Sequence, residues 1–132
     1  MSDVIRFTAS RRTARGSLHA GWLDGGTLCA YDAPAPTDGD TALTTQTLLA
    51  VYELPAPAGT VVDGVFTADS IAAATNLANG TVAFVRAFDS SGVAIGDYDA
   101  GAVGSGEAVE FDNLNLVAGS LSTITSFIVV EG

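Results

Sequence analysis

The chain has 132 residues, 15 acidic against 5 basic side chains, a formal net charge of −10 and a 48% hydrophobic composition. That length allows one domain, able to bury roughly two-thirds of its unfolded surface without metals or disulfides. No apolar run nears the roughly 20 residues of a membrane helix, Met1–Ala20 lacks the apolar stretch of a secretory signal, and the single Cys29 excludes an intrachain disulfide.

The charge is segregated along the chain. Residues 1–20 hold four arginines (Arg6, Arg11, Arg12, Arg15) and one acid, net +3, while residues 21–132 hold one arginine and fourteen acids, net −13. This argues against nucleic-acid binding by the body, where phosphate repulsion dominates. It suits an extended basic arm over 1–20 that lies on an acidic neighbour, including a second copy of the chain. Within the arm, Val4–Thr8 reads as a short strand with Phe7 as an apolar contact.

Asp24-Gly25-Gly26 then opens a body over 21–132, and Trp22 stands at the junction. Tryptophan there either closes the end of the body or anchors a protein interface, where it often dominates the energy. Thr27–Tyr31 is the first strand, with Cys29 read as a small buried hydrophobe. Residues 32–40, with Pro34, Pro36 and Asp38-Gly39, form a loop. Thr47–Glu53 is a second strand, stopped by Pro55 and Pro57, and Val61–Phe66 and Ser70–Ala74 are weaker ones around Asp63-Gly64 and Asp69. The alanines of 69–78 also permit a short helix ending at Asn79-Gly80.

Thr81–Phe88 is the clearest strand: Val82, Phe84, Arg86 and Phe88 alternate with Ala83, Val85 and Ala87, so both faces are mostly apolar. Asp89-Ser90-Ser91-Gly92 is a hairpin connection into Val93–Tyr98. Val109–Phe111, Leu114–Val117 and the ten-residue Leu121–Val130 complete the set. Short strands with Gly, Pro and Asp turns predict an all-β single sandwich, jelly-roll or immunoglobulin-like. The last strand on an open edge would template aggregation, so it requires a central place or another subunit.

Catalytic chemistry has little to draw on. There is one histidine (His19), one cysteine and no lysine, so a triad, a zinc site and a phosphate loop lack their parts. Asp38 with Asp40 and Asp97 with Asp99 each place two carboxylates close in sequence, as calcium could use, but they lack the spacing of an EF-hand. Tyr31, Tyr52 and Tyr98 are the aromatics a glycan-binding module would use.

Taken in order, Arg11–Arg15, Leu23-Asp24-Gly25-Gly26, Tyr31…Pro36, Thr47–Ala50, Gly80–Arg86, Asp89–Gly92 and Ala118-Gly119…Ser126-Phe127 resemble a group of small virion proteins of tailed bacteriophages and prophages. The pattern is one of strand and turn residues over nearly the whole chain. It departs at Phe84-Val85, where members usually carry a Trp-Phe or similar aromatic pair. The resemblance implies a non-enzymatic virion component without cofactor or metal, a head decoration (cement) protein or a tail-associated subunit. Its partners would then be the major capsid protein or other virion subunits, and a homo-oligomer without nucleic-acid or membrane contact is expected. The alternative is a tail-fibre module that recognises a receptor or glycan. The interface residues expected are Arg6, Phe7, Arg11, Arg12, Arg15 and Trp22.

Overall fold

The computed structural model describes residues 8–32 and 46–130. A helix, α1 (Ala9–Leu23), precedes twelve strands. These are β1 (Thr27–Tyr31), β2 (Leu48–Glu53), β3 (Gly59–Val62), β4 (Val65–Ala68), β5 (Ala74–Thr75) and β6 (Gly80–Thr81), then β7 (Phe84–Phe88), β8 (Ala94–Ala102), β9 (Val109–Phe111), β10 (Asn115–Leu116), β11 (Leu121–Ser122) and β12 (Ile124–Val130). Eight of them form one mixed sheet in the order β2-β1-β7-β8-β9-β12-β4-β3, in which only β8 and β9 pair in parallel. The two remaining pairs, β5 with β11 and β6 with β10, are two-residue ribbons.

The β-rich class is as expected, but the main strands form one continuous sheet, where a jelly-roll or immunoglobulin sandwich would have two. The sheet curls over its own core. Tyr52 on the first strand of the order meets Phe111 on β9 edge-on at 5.8 Å, and Phe66 on β4 meets Phe127 on β12 at 5.5 Å. Curling lets one sheet bury Leu28, Leu49, Tyr52, Phe66, Val85, Val109, Phe111 and Phe127 against one another. Residues from both ends of the sheet thus share a single core.

The turn chemistry explains where strands end. Asp63 (φ 51) and Gly64 (φ 80) form the two-residue turn of the β3–β4 hairpin, the left-handed pair that matches strand twist. At the β7–β8 hairpin the Asp89 carboxylate accepts from the Ser91 and Val93 amides, at 2.9 Å each, and Gly92 takes φ 83. Residues 69–78 are not helical: they contribute only β5, with Ile71 and Asn76 buried. Burying Asn76 requires partners, and it has them. Its side-chain oxygen accepts from Ser122, its amide donates to the Val117 carbonyl, and Ser122 also bonds Tyr52.

The last strand splits at Thr123, and β12 pairs with β9 on one side and β4 on the other. It lies inside the sheet order, with β9 along Ile124–Phe127 and β4 along Ile128–Val130, rather than at an end of the sheet. The Thr81–Phe88 strand also breaks. Phe84–Phe88 keeps the expected alternation, whereas Val82 leaves the Phe84 side and turns into the main core.

The largest departure from expectation lies at the N-terminus. Residues 9–20 are helical and packed, not an extended arm, and the helix runs through the expected boundary at 20/21 to the fully buried Leu23. Thr8 caps it, its hydroxyl accepting from the Arg11 amide at 3.3 Å. With Arg11 and Arg12 and no acid in the first turn, the charges oppose the helix dipole. Tertiary contacts must therefore hold the helix, and it closes the gap between β8 and the β4–β12 side. The Thr13 hydroxyl accepts from the Gly64 amide at 3.0 Å, and His19 stacks on Tyr98 and Phe66.

Candidate functional site

One face of α1 remains outside. Arg11, Arg15, Leu18 and Trp22 stand at helical spacing and all four are exposed. The opposite side is committed inward through Gly16, His19, Ala20 and Leu23. His19 fixes the helix on the sheet: its Nε2 lies 2.5 Å from the Tyr98 hydroxyl, and the rings stack at 5.8 Å. Tyr98 in turn meets Phe127 edge-on at 5.1 Å, which ties the helix to the core.

Trp22 is 50% exposed, although it lies 6.1 Å from the His19 ring. It forms the wall between two shallow grooves. One, of about 330 Å³, runs between Arg15, Leu18, His19 and Trp22 on the helix and Ile95, Tyr98 and Val129 on the sheet. The other, of about 240 Å³, lies between Trp22 and Asp89, Val93 and Ile95. Leu18 and Val93 flank the indole and are more exposed still. A large exposed aromatic ring beside a mainly apolar groove, with cations on the same helix face, has the make-up of a protein-binding hot spot.

The structure brings Arg11, Arg15 and Trp22 together and separates Arg12 from them. Arg12 is half-buried and packs at the β3–β4 turn, so close that a Cβ on Gly64 would lie 2.5 Å from its own Cβ. Arg6 and Phe7 lie outside the described residues, as do Asp38 and Asp40. Leu18 and Val93 were missed by the sequence reading. Leu18 could have been found from helical spacing once residues 9–23 were read as a helix, but Val93 reaches the site only through the fold.

The other proposed chemistries are not assembled among the described residues. Asp97 is held by Arg86, with Nε to Oδ1 at 2.6 Å and Nη2 to Oδ2 at 3.0 Å, so it does not join Asp99 as an open cation ligand. No group of three or more His, Cys, Asp or Glu side chains that could hold a metal occurs among the described residues. Tyr31 and Tyr52 are buried on opposite faces of the sheet and Tyr98 lies beneath α1, so the three tyrosines form no platform for a sugar. Cys29 sits on the face away from His19, and burial pushes its thiol pKa up, which hydrogen bonds with Thr27 and Tyr31 only partly offset. A thiol in that state is a poor nucleophile. No described helix is long and apolar enough to cross a membrane.

No family model, curated protein or solved structure matches this chain.

Proposed function

We propose that this protein is a non-enzymatic structural subunit that docks on an acidic protein surface through the exposed face of α1. The observation that carries the proposal is Trp22, half exposed between two shallow grooves of which the one beside Leu18 and Ile95 is mainly apolar, with Arg11 and Arg15 on the same stripe. The indole supplies the contact area and the arginines choose a partner of opposite charge. The sequence resemblance to small virion proteins suggests the setting: a tailed-phage particle assembled in the host cytoplasm, with this chain as a head decoration or cement protein on the major capsid protein. Many copies on one particle make modest single contacts sufficient.

Two measurements test the proposal separately. Mass spectrometry of purified particles should find the chain in stoichiometric amount, and its absence would refute the virion setting. Trp22→Ala should weaken docking about 30-fold or more, the loss of a hot spot worth about 2 kcal/mol. Unchanged incorporation of that variant at physiological salt would refute the docking face.

A further inference from the structure

The two glycines inside β8 stand there for different reasons. A Cβ on Gly101 would collide with Ser105 and Glu107, so the loop that follows β8 requires it. Gly96 has no such reason. It does not take the positive φ of Gly92 or Gly104, and a Cβ added to it would meet nothing within 4 Å. The register fixes which way that vacancy points. Gly96 pairs with Ala87 and Tyr98 with Val85, and paired residues share a face of the sheet. Val85 and Ala87 are fully buried in the core, so position 96 faces the core side as well, where α1 lies. A core-facing position of an antiparallel strand ordinarily carries a large apolar side chain. Here it is empty, and the vacancy forms part of the groove of about 330 Å³ that Leu18, Trp22 and Ile95 also line.

We propose, resting on the docking role of α1 above, that Gly96 is the floor of a receptacle for one apolar side chain, presented by an acidic segment of the partner protein. Glycine inside a strand gives up burial and backbone order, and it commonly marks a place where another group approaches closely. Nothing within this chain approaches Gly96, so the approaching group comes from outside. The walls suit an apolar one, since Leu18, Trp22, Ile95 and Val129 surround the vacancy. A side chain inserted among them leaves water and supplies the contact that the glycine forgoes.

Charge sets the rest of the partner's chemistry. Arg15 lines this groove, whereas the groove across Trp22 carries Asp89. An acid next to the inserted side chain is attracted on the Arg15 side and repelled on the Asp89 side. A basic segment would meet Arg15, and Arg11 one turn away, as like charges. The apolar anchor and the acid beside it therefore have fixed places, one over Gly96 and one toward the N-terminal part of α1.

The test is titration of the full chain with short capped peptides of glutamates around a single leucine, followed by amide and indole chemical shifts. The leucine peptide should shift the Gly96 amide and the Trp22 indole. Exchanging its leucine for alanine should weaken binding about tenfold or more. Gly96→Leu fills the receptacle from within and should weaken the leucine peptide to the level of the alanine one, with the urea midpoint unchanged or raised. Gly96→Ala, which adds only a methyl group in open space, should fall between the two. A wild-type chain that binds neither peptide, or both equally, would overturn the proposal. So would a folded Gly96→Leu chain that binds the leucine peptide as well as the wild type does. In particles, incorporation lost with Trp22→Ala but kept with Gly96→Leu would retain the docking face and overturn the inserted side chain.

Discussion

The curled sheet has two outer faces, and they solve the same problem in opposite ways. Over β1, β2, β7 and β8 the outer face carries Cys29, Tyr31 and Phe84, packed with Leu48, Val51 and Phe88 as a second buried cluster. In its midst Arg86 and Asp97 are joined by two hydrogen bonds, both side chains largely withdrawn from water. Over β3, β4 and β12 the outer face has no charged residue and is left exposed. A buried face can hold a charged pair because partner and geometry are supplied within the chain. An exposed apolar face gains nothing until something covers it. Hydrophobic strands alone do not distinguish a face that is closed from one that is left open.

The largest effect should come from breaking the buried pair. Arg86→Ala leaves Asp97 without its guanidinium and should cost about 3–5 kcal/mol, read as a fall in the urea midpoint. Replacing both partners, with Arg86→Met and Asp97→Leu together, should restore most of that loss. If the double variant were as unstable as the single one, the pair would hold more than its own charges.

A smaller effect belongs to the hairpin that carries the open face. Gly64→Ala places a side chain at φ 80 and 2.5 Å from the Arg12 Cβ, so it should cost about 1–2 kcal/mol in thermal unfolding. Because Arg12 lies on α1, the same change should loosen the helix and lower its amide-exchange protection.

Alkaline pH probes the closed face. Burial raises the Cys29 thiol and the Tyr31 phenol above their ordinary values, and that of Tyr52 in the core as well. The unfolded chain would release protons that the folded chain retains. Stability from these groups is therefore complete below about pH 8.5 and declines as pH rises beyond it, first through the thiol and then through the phenols. A urea midpoint followed from pH 7 to pH 11 should fall in that order, and Cys29→Ala should remove the earliest part. The smallest effect on stability should be that of Val62→Glu, within about 0.5 kcal/mol. A large loss of stability would mean that the open face of β3, β4 and β12 is already covered.

Several elements were legible in the sequence because their causes are local. Thr27–Tyr31 is a strand over the residues expected, and Asp89-Ser90-Ser91-Gly92 turns the chain through hydrogen bonds to a neighbouring carboxylate. Helix α1 was not legible. Its inward side is made of Gly16, His19, Ala20 and Leu23 rather than an aliphatic stripe, and its arginines sit at the unfavourable end of the dipole. Tertiary contacts account for it, among them those of His19 with Tyr98, of Thr13 with the β3–β4 turn and of the buried Leu23.

The candidate site divides along the same line. Composition and charge were enough to single out Trp22, Arg11 and Arg15 and to show how little catalytic chemistry the chain has to draw on. They could not place Val93 beside the indole, turn Arg12 toward the hairpin or join Arg86 to Asp97. By itself, then, the sequence determined the β-rich class, the turns and the segregation of charge, which depend on residues close in the chain. Tertiary structure alone decided which apolar face is closed and which is open, because burial is settled by strand neighbours distant in sequence.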